Sequence, residues 1–334
     1  MKKFNAVIMI LMVLIVSTIF AGCGKAKSDQ VKTGLAVITA ANSKSTDAGE
    51  NPGLAQIDST VVAVTVDGRG KIVKCVIDTV QSKIKFDTSG KLTTPLDTLF
   101  PTKNELGDGY GMRKVSQIGK EWNEQAAALA KYVEGKTVKE VKNIAVDESK
   151  RPTGSDLKTS VTMSIGGYIA AIEKAVAQVQ ELGASSSDEL GLGIVTNMGH
   201  SANAGENPGL AEAYSTYVAI TQDSKGKITS CVIDASQGKI NFDASGKITS
   251  DLKAAIKSKN ELGEDYGMKK VSPIGKEWDE QAAAFAKYVT GKTPSEVADI
   301  AVNEKGRPTG RDLLATVTIG IDDFQAALVK AAGL

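Results

Sequence analysis

The chain has 334 residues, of which 24% are charged and 42% are hydrophobic, and its formal net charge is +1. This is the composition of an ordinary globular protein without the basic excess of a nucleic-acid-binding protein, so no nucleic-acid partner is expected. The one histidine, His200, lies in a predicted loop and has no counterpart in the first half of the chain, which argues against a Ser-His triad, His-based acid–base catalysis and a His-rich metal or haem site. Three cysteines do not form a disulfide framework.

The N-terminus has the pattern of an export signal. Lys2 and Lys3 precede an almost unbroken apolar run over residues 6–20, which ends at Ala21-Gly22-Cys23. This ending resembles the lipobox of bacterial lipoproteins. The resemblance implies a signal peptide over residues 1–22, and diacylglycerol, with fatty acids such as palmitate, on the sulfur of Cys23.

Residues 23–33 then read as a polar tether that leaves the chain lipid-anchored on the extracytoplasmic face of the cell membrane. The alternative is an uncleaved N-terminal anchor helix. The apolar run is shorter than the roughly 20 residues that comfortably span a bilayer, which favours the lipid anchor.

The rest of the chain is a tandem duplication. Aligning residues 49–174 with residues 205–330 gives identity at roughly 60% of positions, almost without gaps. The repeat is as long as a whole domain, so we expect a first domain over residues 34–181, a linker over 182–190 and a second domain over 191–334. Cys75 and Cys231 are equivalent positions in the two copies, and we expect both to be buried, unpaired thiols.

Both copies predict the same order of elements. A first short strand and a Gly/Asn/Pro loop lead into a β-hairpin with a glycine-containing turn. A second hairpin-like piece ends in an Asp-x-Ser-Gly turn, which lacks the alternating oxygen ligands of a calcium loop. Helices and a segment of alternating polarity follow. In the first copy the predicted ranges are strands 35–39, 60–66, 72–78 and 83–86, helices 121–133 and 137–142, an alternating segment 160–165, and a helix through 179.

A glycine-rich loop separates the strands from the long helix of each copy. Its first version is Asp108-Gly109-Tyr110-Gly111-Met112-Arg113-Lys114, and its second version carries Tyr266. The glycines permit close backbone approach, the tyrosine offers a stacking face, and the cations could meet a phosphate. The alternative is a solvated loop whose tyrosine packs on the domain. For Trp122 and Trp278, which follow, core packing or an interdomain contact is favoured over ligand stacking.

The end of each copy carries the most functional information. Asp156-Leu157-Lys158-Thr159-Ser160-Val161-Thr162 and Asp312-Leu313-Leu314-Ala315-Thr316-Val317-Thr318 both precede an alanine-rich helix. This pattern resembles the flavinylation segment of FMN-binding domains, found in subunits of ion-pumping reductases and in extracellular electron-transfer lipoproteins. The resemblance implies that Thr162 and Thr318 hold FMN through a phosphoester made by a separate flavin transferase. Asp156 and Asp312 would belong to the segment that the transferase recognises.

The flavinylation motif is degenerate, because Val161 and Val317 stand where the family has alanine. A β-branched valine would crowd the place where a flavin phosphate approaches, which leaves open a non-covalent or relict form of the site. The segment 160–165 also fits a half-buried strand without any chemistry.

The sequence therefore predicts an α+β protein with two tandem copies of a small domain, each an antiparallel sheet packed by helices, after a lipoprotein signal peptide. The function expected is that of an FMN-binding electron carrier rather than a turnover enzyme, with Tyr110 and Tyr266 near the cofactor and a redox protein as partner. The alternative is a non-catalytic surface lipoprotein whose duplicated domains bind a small ligand or a partner protein.

Overall fold

The structure is a computed structural model that describes residues 29–42 and 44–333. The predicted signal peptide, Cys23 and residues 23–28 of the predicted tether lie outside the described residues. Within the described ranges, no helix has both the length and the apolar character needed to cross a membrane.

Each copy folds into a three-stranded antiparallel sheet and a set of short helices, as predicted. In the first copy the elements are β1 (Lys32–Ala41), β2 (Gly53–Val66), β3 (Ile72–Phe86), α1 (Lys103–Leu106), α2 (Trp122–Val133), α3 (Val138–Lys142), α4 (Ser155–Lys158) and α5 (Gly166–Ala177). In the second copy they are β4 (Glu189–Asn197), β5 (Gly209–Gln222), β6 (Ile228–Phe242), α6 (Lys259–Leu262), α7 (Trp278–Val289), α8 (Pro294–Ala298), α9 (Arg311–Leu314) and α10 (Asp322–Ala331).

The two sheets pack face to face, and each carries its helices on the opposite face. Side chains from all six strands form a central core between the sheets, whereas two outer cores join each sheet to its own helices. Alternation along β1 illustrates the arrangement, since Leu35 and Val37 point into the central core and Ala36 into an outer core. The central parts of the strands are thus buried on both faces, whereas exposed residues such as Lys83 and Lys85 lie near the end of β3.

The contacts between the copies are reciprocal. Lys174 forms a 2.8 Å ion pair with Glu261, and Lys330, its equivalent in the second copy, forms a 2.6 Å ion pair with Glu105. The backbone N–H of Ala48 donates to the carbonyl of Gly246, and that of Ala204 donates to the carbonyl of Gly90. Such reciprocity is the mark of a two-fold interface, so the chain is built like a homodimer joined into one polypeptide.

The segment predicted as a linker is packed rather than free. Ala184, Ser185 and Asp188 are buried, and Ser185 pairs with Gln30 through an isolated β-bridge. β1 starts at Lys32, so its first two residues belong to the predicted tether.

Two element predictions change. The strand predicted to end at residue 78 continues to Phe86 and absorbs the second hairpin-like piece, so that β2 and β3 form one long hairpin. The predicted half-buried strand over residues 160–165 is wrong: this segment is a loop between α4 and α5. Its polar–apolar alternation arises because Val161 and Ile165 are buried in the outer core of the first copy.

Candidate functional site

The two predicted attachment residues lie in equivalent loops. Thr162 follows α4 and Thr318 follows α9, and both side chains are partly exposed. The preceding Val161 and Val317 are completely buried in the outer cores. Each valine therefore packs into the core and does not crowd the solvent side of the loop, which removes the steric objection raised by the sequence.

A buried glutamine on the long helix holds each of these loops. The Oε1 atom of Gln125 accepts hydrogen bonds from the backbone N–H groups of Thr162 at 2.8 Å and Met163 at 3.1 Å. Its amide nitrogen donates to the Oγ atom of Ser116 at 3.1 Å. Gln281 repeats the contact to Thr318 at 2.8 Å in the second copy. The glutamine thus fastens the threonine loop to the segment that follows the glycine-rich loop.

The glycine-rich loop forms more hydrogen bonds and ion pairs with its neighbours than a solvated loop would. It forms two short 3₁₀ turns, and the buried carboxylate of Glu121 accepts hydrogen bonds from the backbone of Met112 and Arg113, each at 2.8 Å. The guanidinium of Arg113 is paired with Asp108 at 2.7 Å and with Glu124 at 3.1 Å. The guanidinium of Arg113 therefore already has two carboxylate partners and is not available to bind a phosphate.

The aromatic residues of this region surround a lysine that the sequence did not single out. In the first copy the Nζ atom of Lys103 lies 4.6 Å from the ring centre of Tyr110 and 5.1 Å from that of Trp122. In the second copy Lys259 lies 4.7 Å from the ring of Tyr266 and 4.8 Å from that of Trp278. Both tryptophans are core residues, as expected. A cation over two aromatic faces gains about 2 kcal/mol or more when it is desolvated.

Burial sets the protonation behaviour of these lysines. Their exposed fractions are 8% for Lys103 and 4% for Lys259. Burial lowers the pKa of Lys103 to about 8 and that of Lys259 to about 7, although neighbouring carboxylates act in the opposite direction. Those carboxylates include Asp78 and Asp234, whose own pKa values are raised to about 6 by burial.

The two lysines differ in their partners. Lys259 donates a 2.7 Å hydrogen bond to the hydroxyl of Tyr214, which occupies the position of Asp58 in the first copy. Within the described ranges, the side chain of Lys103 forms neither a hydrogen bond nor an ion pair. Lys103 instead lines a cavity of about 400 Å³ together with Gln81, Lys83, Phe100, Pro101, Leu106, Gly109 and Tyr110.

A larger cavity of about 940 Å³ lies where the copies meet, between the end of α5, β6 and α7. Its wall includes Cys231, which is free and buried, as is Cys75. Both thiols are therefore as predicted, and burial raises their pKa values. None of the predicted site residues lines this cavity, so the smaller one, where a charged group converges with an aromatic ring, is the better candidate site.

The predicted recognition residues are accessible. Asp156 and Asp312 lie on the exposed first turns of the four-residue helices α4 and α9. The predicted Asp87 turn is also as expected, because the Asp87 carboxylate accepts from the backbone of Ser89 and Lys91, each close to 3 Å, and closes a hairpin turn. Over residues 29–42 and 44–333, no group of His, Cys, Asp and Glu side chains could hold a metal ion.

Comparison with known proteins gives one informative similarity. An alignment 98 residues long shows 35% identity to a protein named chlorophenol reductase from Desulfitobacterium hafniense, and the alignment covers 26% of this chain and 30% of that protein. The chain therefore spans less than a third of the relative that it matches. No protein-family profile and no solved structure matches the chain.

Proposed function

We propose that this chain is an extracytoplasmic lipoprotein that carries FMN on both copies and transfers electrons. Three observations support the proposal: the Asp-to-Thr segment present in both copies, the similarity to a protein named as a reductase, and the export signal that ends at Cys23. The coarser conclusion, a redox role, depends on the similarity. The finer one, FMN on Thr162 and Thr318, depends on the motif.

The observation that carries the proposal is the placement of the two threonines. Each threonine is partly exposed in a loop whose backbone is fastened by a buried glutamine, and the neighbouring valine packs into the core. The two hydroxyls donate to the same glutamines over longer distances, 3.4 Å for Thr162 and 3.2 Å for Thr318. These residues fit a phosphoester, because an external transferase needs an accessible hydroxyl on a fixed backbone. The exposed aspartates on α4 and α9 are likewise available to such an enzyme.

A bound flavin supplies one- and two-electron transfer. The chain's own contribution would be to fix the attachment point and shield one side of it. Gln125 and Gln281 hold the threonine backbone, and the Tyr110 and Tyr266 segments are tied to the same glutamines through the following residues. Because the two copies pack on one another, both attachment points belong to one compact body rather than to swinging modules.

The proposal is tested by co-expressing the full chain with a flavin transferase in the export pathway. We expect a fluorescent band on a denaturing gel, and an intact mass with two flavins on a lipidated chain that begins at Cys23. Thr162→Ala and Thr318→Ala should each remove one flavin, and the double variant should remove all fluorescence. Thr153→Ala and Thr309→Ala, at exposed equivalent positions just before each motif, are the matched controls.

A colourless protein that also leaves the fluorescence of added FMN unchanged would exclude both the covalent and the non-covalent flavin. It would favour the non-catalytic lipoprotein instead. A mass that retains the signal peptide or lacks the lipid would refute the anchor at Cys23 independently of the flavin result.

A further inference from the structure

Lys103 is a buried cation without a hydrogen-bonding partner in the part of the chain that the structure describes. The residue is 8% exposed, and it lines the cavity of about 400 Å³. An ammonium group carries three hydrogen-bond donors, and none of the three donors of Lys103 is paired with an acceptor in the described part of the chain. The position therefore has unused donor capacity directed at a space large enough for a small molecule.

The side chains that line the cavity are of the kinds that bind an oxyanion. Lys83, at the exposed rim, brings a second ammonium group, and Gln81 brings an amide. The ring of Tyr110 and the side chains of Phe100 and Leu106 supply an apolar wall. Two cations beside an apolar wall suit a molecule that has a negatively charged oxygen group and a flat or apolar body.

The charged neighbours of the two equivalent lysines, Lys103 and Lys259, differ between the copies. The strongest charged neighbours of Lys103 are two carboxylates, Asp58 and Asp78, and two lysines, Lys44 and Lys83. Those of Lys259 are three carboxylates, Glu212, Asp234 and Asp323, with one lysine, Lys239. Among these strongest neighbours, the charge around Lys259 is therefore more negative than the charge around Lys103, which makes the second site less favourable for an anion.

The two lysines also differ in their hydrogen bonds, because only the side chain of Lys259 donates one in the part of the chain that the structure describes. In the second copy the ammonium already has an oxygen partner at 2.7 Å, from a residue that replaces Asp58. Asp58, in turn, accepts hydrogen bonds from Asn42 and Gln56 rather than from Lys103. The ammonium group of Lys259 thus has a protein partner, whereas that of Lys103 lines a cavity without one.

We infer that the cavity at Lys103 in the first copy is a binding site for a small oxyanion, a carboxylate or a phosphate, and that the second copy has lost this site. The inference requires no flavin on Thr162 or Thr318, although the cavity includes Tyr110, which the sequence predicted near the cofactor. It gives the two copies different roles despite their similar sequences.

The test is calorimetric titration of the flavin-free full chain with benzoate and, separately, with inorganic phosphate, each up to tens of millimolar. At least one probe should bind saturably with one site per chain. Lys103→Met should weaken that binding by about tenfold or more, since a charged hydrogen bond contributes roughly 1.5–3 kcal/mol. Benzoate binding alone identifies a carboxylate site with an aromatic wall, and phosphate binding alone identifies a phosphate site.

Lys259→Met is the matched control, and it should leave the affinity unchanged. Lys83→Gln is a second variant at an exposed position, which should fold normally and weaken binding severalfold by removing the cation at the rim. Thermal unfolding of each variant separates a folding defect from a binding defect. Absence of saturable binding for both probes, two equal sites per chain, or equal losses in Lys103→Met and Lys259→Met would overturn the inference.

Discussion

The burial of Lys103 and Lys259 could not be predicted from the sequence. Each begins a Lys-Asn-Glu-Leu-Gly segment, which looks like the polar first turn of an exposed helix, and capping boxes at Thr102 and Ser258 do form there. Burial of the lysine follows only when α1 or α6 packs beside the long helix and sets its first side chain over the tryptophan and tyrosine rings. No local pattern in the sequence specifies that contact.

These lysines make stability depend on pH in the alkaline range. The folded-state pKa of Lys103 is lowered from 10.5 to about 8, so the folded protein releases this proton before the unfolded chain does. The folded state is therefore more stable with a neutral lysine, and this gain in the free energy of unfolding is fully present above 10.5, the pKa of lysine in the unfolded chain. The gain is lost as pH falls through about 8 for Lys103 and through about 7 for Lys259. The shift of Lys103 corresponds to about 3 kcal/mol.

We therefore predict that, between neutral pH and pH about 10, the free energy of unfolding of Lys103→Met in urea rises by about 3 kcal/mol less than that of the wild type. The buried thiols of Cys75 and Cys231, whose pKa values are raised, act in the opposite direction in both proteins and cancel in this comparison. The exposed Lys85→Met, on the same copy, should keep the full pH dependence. Parallel pH profiles for the wild type and Lys103→Met would contradict the prediction.

Among the elements, the loop that carries Thr162 is where sequence periodicity misled. Alternation over residues 160–165 indicated a strand, but the backbone N–H groups of Thr162 and Met163 donate to the Gln125 side chain, and that of Ile165 donates to the carbonyl of Lys150. A loop can show period-two burial when a side chain from another element takes over the hydrogen bonds of its backbone. Gln125 could have been noticed as a polar residue within the apolar stripe of α2.

The alanine-rich helix of each motif also has a packing reason. α5 crosses β1 at Gly34, where an added Cβ would lie 2.2 Å from the carbonyl oxygen of Ala175. α10 crosses β4 at Gly191, where the corresponding distance to Ala331 is 1.8 Å. Small residues on both elements allow this close approach, so this part of the motif is explained by the fold whether or not flavin is attached.

Gly34→Ala and Gly191→Ala should each lower the free energy of unfolding by about 1–3 kcal/mol or more, because the helix must move off the sheet. Gly167→Ala is the control, since a Cβ there meets no atom within 4 Å and the position is in the first turn of α5. That variant should be neutral or slightly stabilising. Unfolding in denaturant measures all three, and a normal midpoint for Gly191→Ala would refute the close approach.

For the molecule as a whole, the interface between the copies is a core rather than a surface contact. Phe86 and Phe242 stack at a centroid distance of 4.2 Å with their planes 7° apart. Each ring also covers a glycine on the paired strand, Gly53 or Gly209, where an added Cβ would lie 2.3 Å from the ring. The sheets therefore bury their inner faces against each other, and neither copy has a complete core alone.

The two copies should consequently unfold together. Trp122 reports on the first copy and Trp278 on the second, so single-tryptophan variants made by Trp278→Phe and Trp122→Phe should each show one transition when fluorescence is followed in urea.

Within either single-tryptophan background, Phe86→Ala should lower the free energy of unfolding by about 3–5 kcal/mol. The exposed Leu99→Ala should change it by less than about 0.5 kcal/mol. A Phe86→Ala effect confined to the Trp122 signal would show independent domains.

The sequence by itself determined the duplication, the α+β class, the hairpins and long helices, and the buried free cysteines. These follow from identity, alternation, helical spacing and turn glycines, which are local. Only the tertiary structure decided that the sheets share a core, that Val161 and Val317 face inward, and that Lys103 is left without a partner while Lys259 binds Tyr214. Those outcomes depend on contacts between residues far apart in the chain, which local periodicity does not encode.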